Sequence, residues 1–167
     1  GRWAGHESGQ FAFVTLHEEE GAHPYTISSA WADDGHLTFI IKALGDYTST
    51  LAERVKLNDV VKVEGPYGRF NFKSQQKRQI WVGGGIGITP FRSMLKFITD
   101  NRHSRQATLF YAVSDPKQIV FKEILNEAKE YGLKVIYVLT PPAGTEVPKS
   151  WKHEVGMIDL EMIQKHV

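Results

Sequence analysis

In Ile80-Trp81-Val82-Gly83-Gly84-Gly85-Ile86-Gly87-Ile88-Thr89-Pro90-Phe91, an apolar run meets a cluster of glycines and then a proline. The run Ile80-Trp81-Val82 reads as a buried strand. The amphipathic stretch from Pro90 to Asn101 reads as a helix. Pro90 suits a first helical turn, where its missing N–H costs nothing and its fixed φ is already helical. A strand that turns through glycines into a helix N-terminus makes a phosphate site. Glycine lets the backbone approach an anion, and the first helical N–H groups point at it. The loop is not a Walker loop, since no Gly-Lys-Ser/Thr follows, and it departs from the strict dinucleotide fingerprint because Ile88 stands at the third glycine position. As a bare pattern it is open to two readings, a nucleotide site or a tight strand-to-helix turn.

Downstream of this loop the rhythm is strand and helix in alternation. Strand Thr108–Val113 leads to a helix over Lys117–Tyr131. Gly132 is placed to end that helix, and strand Lys134–Leu139 follows. Asp159 is a candidate N-cap for a last helix running to the end. This alternation predicts an α/β domain with a doubly wound parallel sheet.

Upstream the pattern is all-β. Strands are expected at Phe11–Leu16, Tyr25–Ala30, His36–Leu44 and around Val60, Val61 and Val63, with a helical turn over Thr50–Val55. Turn residues separate them: Asp33-Asp34-Gly35, Asn58-Asp59 and Gly65-Pro66. Several short strands predict an antiparallel barrel or sandwich. A polar, basic stretch at Lys73–Arg78 is the expected linker, which divides the chain into residues 1–77 and 78–167.

Composition narrows the function. A formal net charge of +1 gives no electrostatic case for nucleic acid. The absence of cysteine excludes disulfides, cysteine nucleophiles and thiolate metal sites. The seven histidines show no metal-ligand spacing, so no metal is expected. No apolar run approaches the ~20 residues of a membrane helix. The chain starts Gly1-Arg2 rather than Met, which suggests a piece of a longer protein.

Two further constellations carry chemistry. In His23-Pro24-Tyr25-Thr26-Ile27-Ser28, a ring and two hydroxyls could hold a flat polar ring system: Tyr25 stacking, Thr26 and Ser28 donating hydrogen bonds. The plainer reading is a strand entry with an exposed histidine. Ile41-Lys42 followed by Gly45-Asp46-Tyr47-Thr48 sets a cation, a glycine and a hydroxyl at a helix start, where a pyrophosphate could bind. The plainer reading there is a polar turn.

Together these stretches resemble the ferredoxin–NADP reductase superfamily. His23-Pro24-Tyr25-Thr26 is similar to the His-Pro-Phe-Thr of its ferric reductase and NADPH oxidase branch, where other members have Arg-x-Tyr-Ser. Gly45-Asp46-Tyr47-Thr48 resembles the family's flavin pyrophosphate turn, Gly65-Pro66-Tyr67-Gly68 the motif closing the flavin domain, and Gly83 to Phe91 the nicotinamide loop. The resemblance covers roughly Gly9 to Leu160.

It implies a Greek-key β-barrel holding FAD over residues 1–77 and an NAD(P)H-binding α/β domain over 78–167. It also implies a flavoprotein oxidoreductase that passes hydride from NAD(P)H to FAD and then single electrons to haem, ferric iron or another acceptor. His23, Pro24, Tyr25, Thr26, Ser28, Ile41, Lys42, Gly45, Tyr47 and Thr48 would serve FAD. Gly84, Gly85, Gly87, Thr89, Pro90 and Ser114 would serve the nucleotide. No acid–base residue is assigned, because hydride transfer needs proximity rather than a proton shuttle.

Three departures qualify the match. The family's strands before Gly9-Gln10-Phe11 are absent, so an incomplete barrel is expected. Its late Cys-Gly-Pro motif is also absent, so a truncated α/β domain is expected. Ser114 stands where many members have an Arg, and Asp115 would repel a 2′-phosphate, which leans the cofactor to NADH. The parent is expected to be a membrane-anchored ferric reductase-like protein with a haem-bearing domain, this module lying on the cytoplasmic face. The alternatives are a soluble reductase serving a ferredoxin or oxygenase, and a nucleotide-binding module without turnover.

Overall fold

The computed structural model describes residues 3–73, 76–142 and 151–167. The chain divides into two compact units. The first comprises 1–72 with 89–94, and the second 73–88 with 95–167. Residues 74 and 75 of the expected linker lie outside the described residues.

The first unit is built on a three-stranded antiparallel sheet in the order β2-β1-β3. β1 (Phe11–Thr15) is central, β2 is His23–Thr26 and β3 is Lys62–Tyr67. Alternation does its usual work in β1. Ala12 and Val14 are buried on one face, while the rings of Phe11 and Phe13 meet Tyr67 of β3 at 5.8 and 5.6 Å. Helix α1 spans Asp46–Arg54, longer than the expected turn. Its start is fixed by Thr48, whose Oγ1 accepts the N–H groups of Leu44 and Gly45 at 3.0 and 3.1 Å.

Two expected strands are cut short. His36–Leu44 reduces to a bridge between Phe39 and Ile27. The Thr38 N–H is taken by the Ser29 hydroxyl at 3.1 Å rather than by a strand carbonyl, so no ladder propagates. Val60 and Val61 precede β3, because the β1–β3 pairing ends at Thr15–Lys62. Val60 is left 94% exposed.

The second unit is a parallel sheet in the order β4-β5-β6-β7, with β4 at Arg78–Gly84, β5 at Gln106–Val113, β6 at Leu133–Leu139 and the unanticipated β7 at Glu154–Val155. Its core is Leu109, Phe110, Tyr111, Leu125, Ala128, Val138 and Leu139, all fully buried. β4 pairs only with β5 among the described strands. The buried strand expected at Ile80-Trp81-Val82 is therefore buried only at Trp81, and Ile80 and Val82 are about half exposed.

Helix α2 (Thr89–Asp100) follows the expected stripe: Phe91, Met94, Leu95 and Ile98 are buried at i, i+3, i+4 and i+7. The single helix expected over Lys117–Tyr131 is broken. A 3-10 turn at Pro116–Gln118 precedes α3 (Lys122–Glu127), and a second follows at Ala128–Tyr131. Between them Ile119 runs extended and buries its side chain, and Phe121 takes a left-handed conformation at φ 62° to start α3. Gly132 ends this segment in the left-handed region, as expected, with φ 98°. A β-carbon there would come within 2.8 Å of the Arg105 carbonyl. Helix α4 (Leu160–His166) starts at Asp159, whose carboxylate accepts the Met162 N–H at 2.8 Å, as a capping aspartate should.

Candidate functional site

The glycine loop lies where parallel sheets bind ligands, at the carboxyl ends of the strands. β4 ends at Gly84, and Gly84 pairs in register with Ala112 of β5. Ser114 follows directly after β5, so the fold brings Gly84, Gly85, Gly87 and Ser114 to the same end of the sheet. The loop is itself helical: Gly85–Ile88 forms a 3-10 turn that continues into α2, with Pro90 in the first turn and Thr89 buried. Gly85 is left-handed at φ 49°. Gly84 and Gly87 are not in the left-handed region, and a β-carbon on either would meet nothing within 4 Å. Neither backbone strain nor packing therefore demands glycine at 84 or 87. Open space above these glycines lets a phosphate approach the backbone, and it favours a nucleotide site over a tight packing turn.

Beside this end of the sheet the Ser114 hydroxyl donates to Gln118 Oε1 at 3.0 Å. The Asp115 carboxylate accepts the Lys117 N–H at 2.8 Å and so caps the 3-10 turn. Neither residue offers a cation to a ribose phosphate.

In the first unit, β2 and the N-terminus of α1 come together. The imidazole of His23 stacks on the ring of Tyr47, with centroids 4.8 Å apart and planes 24° apart. His23 Nε2–H donates to the Glu20 carbonyl at 3.1 Å. The Tyr47 hydroxyl lies 3.2 Å from His17 Nδ1, and the Arg54 guanidinium sits 5.4 Å from the Tyr47 ring centroid. Arg54 is fixed in turn by Glu19 at 2.7 Å and Glu20 at 2.9 Å. His17, Glu20 and Arg54 were not singled out from the sequence. Arg54 had a signal, since it lies seven residues from Tyr47, two turns along one helix face. His17 had none, because its contact with Tyr47 spans thirty residues.

Tyr25 has an unmet hydrogen bond at this site. Its hydroxyl is buried and has no hydrogen-bond partner. Burial, and then the neighbouring Tyr47, raise its pKa above the ordinary tyrosine value, so the phenol keeps its proton and can donate. Thr26 is half-buried next to it. Ser28 is fully buried, with its hydroxyl 3.5 Å from the Thr26 carbonyl. Gly45 has open space where a β-carbon would stand, and α1 begins there with Asp46, Tyr47 and Thr48 supplying its first N–H groups. Lys42 is exposed and Ile41 half-buried, both in the segment without regular secondary structure that leads to Gly45. An unpaired buried donor, a helix N-terminus open to an anion and a lysine just before it form a donor set that fits a flavin dinucleotide.

Comparison with known proteins agrees with both halves. Residues 4–72 match the family described as oxidoreductase FAD-binding domain, and residues 81–167 match the oxidoreductase NAD-binding domain. The chain belongs to the ferredoxin–NADP reductase superfamily.

Among its relatives, NADH-cytochrome b5 reductase 2 of Scheffersomyces stipitis is 31% identical over 161 residues, covering 93% of this chain and 52% of that protein. NADH-cytochrome b5 reductase 1 of Dictyostelium discoideum is 29% identical over 154 residues, covering 89% and 52%. The chain thus spans about half the length of the curated relatives it matches. The same fold appears in the FAD/NAD-binding domain of a nitric oxide dioxygenase from Vibrio cholerae (TM-score 0.75, 19% identity, 96% of this chain and 69% of that one). It appears again in an Amycolatopsis cytochrome P450 reductase (TM-score 0.78, 18% identity, 97% and 50%). An FAD-binding and an NAD-binding domain in one superfamily member bear out the expected cofactors, and NADH-named relatives agree with the lean to NADH.

Proposed function

We propose that this chain is the FAD- and NADH-binding module of an electron-transferring flavoenzyme, with residues 1–77 serving FAD and 78–167 serving the nucleotide. The observation that carries the reading is the Tyr25 hydroxyl, buried and unpartnered on the strand beside the open N-terminus of α1. Without a ligand there the fold leaves that donor unsatisfied.

Bound FAD would supply a ring that accepts hydride from the nicotinamide and passes electrons on singly. The chain's own residues bind and orient. Tyr25 and Thr26 would offer hydroxyl donors to the flavin. Pro24 and the His23–Tyr47 stack would shape its edge. Lys42, Gly45, and the first N–H groups of α1 at Tyr47 and Thr48 would neutralise and hold the pyrophosphate. Gly84, Gly85, Gly87, Thr89 and Pro90 would line the nicotinamide nucleotide, and Ser114 would lie toward its ribose. Asp115 would disfavour a 2′-phosphate there, which supports NADH over NADPH.

The acceptor is a haem protein of the cytochrome b5 type in the reading that the relatives' names support. A second reading, an anchored ferric reductase-like parent with the module on its cytoplasmic face, rests on His23-Pro24-Tyr25-Thr26. No helix among the described residues is long and apolar enough to cross a membrane.

The test is to add FAD to the purified chain, remove the excess, and follow the flavin's visible absorption after NADH or NADPH. Rapid bleaching with NADH supports the proposal. Flavin that binds and stays oxidised with both nucleotides assigns a binding module without turnover, and failure to retain FAD refutes the flavin site. Cytochrome b5 and a ferric chelate, offered in turn to the reduced module, separate the two acceptor readings.

A further inference from the structure

The strand that carries the flavin motif does not end freely after Thr26. The N–H of Ile27 donates to the Gln10 carbonyl at 3.0 Å, and the N–H of Ser28 to the Thr38 carbonyl at 2.7 Å. Three side chains then close on the next two carbonyls. Arg92 Nη1 donates to the Ser28 carbonyl at 2.6 Å. The Ser93 hydroxyl donates to the Ser29 carbonyl at 2.7 Å, and His6 Nε2–H reaches the same oxygen at 2.9 Å. Ser93 is fully buried and is itself gripped from behind, its carbonyl accepting the Ser8 hydroxyl at 3.0 Å. All of these residues fall within the first unit.

Most of these donors are neutral, and one is a guanidinium. A charge-assisted bond to a carbonyl is about twice as strong as a neutral one. Its direction also matters. A long arginine side chain is usually solvated, and committing it to a main-chain oxygen fixes that peptide plane. Ser28 is two residues from Thr26 and three from Tyr25. Tyr25 and Thr26 are held in register with Ala12 and Phe11 of β1, and the Ser28 peptide is the next fixed point beyond them on the strand's exit.

We propose that Arg92 is a positioning residue for the flavin site, fixing the strand exit at Ser28 and through it the Tyr25 and Thr26 side chains, with Ser93 as its neighbour in the same clamp. This rests on the FAD reading above. It adds a residue that the flavin motif does not contain, 64 positions away in sequence.

The experiment compares Arg92→Gln and Arg92→Lys with the unaltered chain by two readouts. The first is hydrogen exchange of the Ile27 and Ser28 amides in the flavin-free protein. The second is FAD affinity, together with the shape of the bound flavin's visible absorption bands. Arg92→Gln is expected to speed exchange at both amides, weaken FAD about tenfold, the loss of one charge-assisted bond, and alter the flavin bands. Arg92→Lys, which keeps a cationic donor, is expected to recover most of the affinity and the unaltered band shape. Unchanged exchange at Ile27 and Ser28 in Arg92→Gln overturns the proposal. Unchanged affinity with unaltered bands does so too, as does a loss that Arg92→Lys fails to rescue. If the unaltered chain takes no FAD, the function proposed above falls, and the exchange readout still decides whether Arg92 holds the strand.

Discussion

Tyr25 separates stability from binding, because its hydroxyl is buried and unpartnered. An unsatisfied buried hydroxyl costs folding free energy that a ligand hydrogen bond would return. Tyr25→Phe removes the hydroxyl and little else. It is expected to leave the flavin-free chain as stable as before or more stable by up to about 1 kcal/mol, while weakening FAD about tenfold. Thermal melts without flavin and a flavin titration check the two halves. A loss of stability without flavin would mean the hydroxyl is satisfied within the protein. Tyr47 plays a different part: its ring is already engaged by His23, its hydroxyl lies against His17, and Arg54 is held close by Glu19 and Glu20.

At the scale of elements, the 3-10 turn from Gly85 to Ile88 and the end of β4 carry glycines that the protein itself does not require at 84 and 87. Gly84→Ala and Gly87→Ala should therefore change stability by no more than about 0.5 kcal/mol. Each should weaken NADH at least about tenfold by holding the phosphates off the backbone. Equilibrium unfolding and a nucleotide titration measured on the same samples check this. At the other edge of the sheet, Glu154 of β7 accepts from Lys165 at 2.8 Å and from His166 at 2.8 Å, tying α4 to the strand. The hydrogen bond from Lys165, and behind it that from His166, hold the Glu154 carboxyl below its ordinary range against the upward pull of burial. A carboxylate with a depressed folded pKa contributes stability that is present above its unfolded value, about 4.3, and lost as pH falls through the folded one. Glu154→Gln should lower the melting temperature at neutral pH and flatten its decline in acid. The two proteins should converge once the pH lies below the folded value. Melting curves across that range check the sign.

For the whole molecule, the two family matches predict that FAD and NADH protect different segments of the chain. FAD at a hundred times its dissociation constant should stabilise the fold by about 2.7 kcal/mol, and NADH likewise. Hydrogen exchange resolved along the chain checks the assignment. FAD should protect amides of β1, β2 and α1, and NADH those at the carboxyl ends of β4 and β5. Protection by FAD confined to β4–β6 would reverse the domain roles.

Local signals carried much of this protein. The periods of two and of 3.6, the glycine loop, Gly132 and Asp159 were readable from the sequence because each depends on residues within a few positions of one another. The motif His23-Pro24-Tyr25-Thr26 likewise points to a flavin strand from four adjacent residues. Element ends were less legible, because they depend on partners. Val60 and Val61 fall outside β3 because β1 has stopped, and the run at His36–Leu44 loses its ladder to the hydroxyl of Ser29. The clamp on Ser28 and Ser29, the cluster around Tyr47 and the unpartnered hydroxyl of Tyr25 came only from the tertiary structure. A hydrogen bond between residues 64 positions apart leaves no periodicity to read, and an unsatisfied donor exists only once the chain has closed around it.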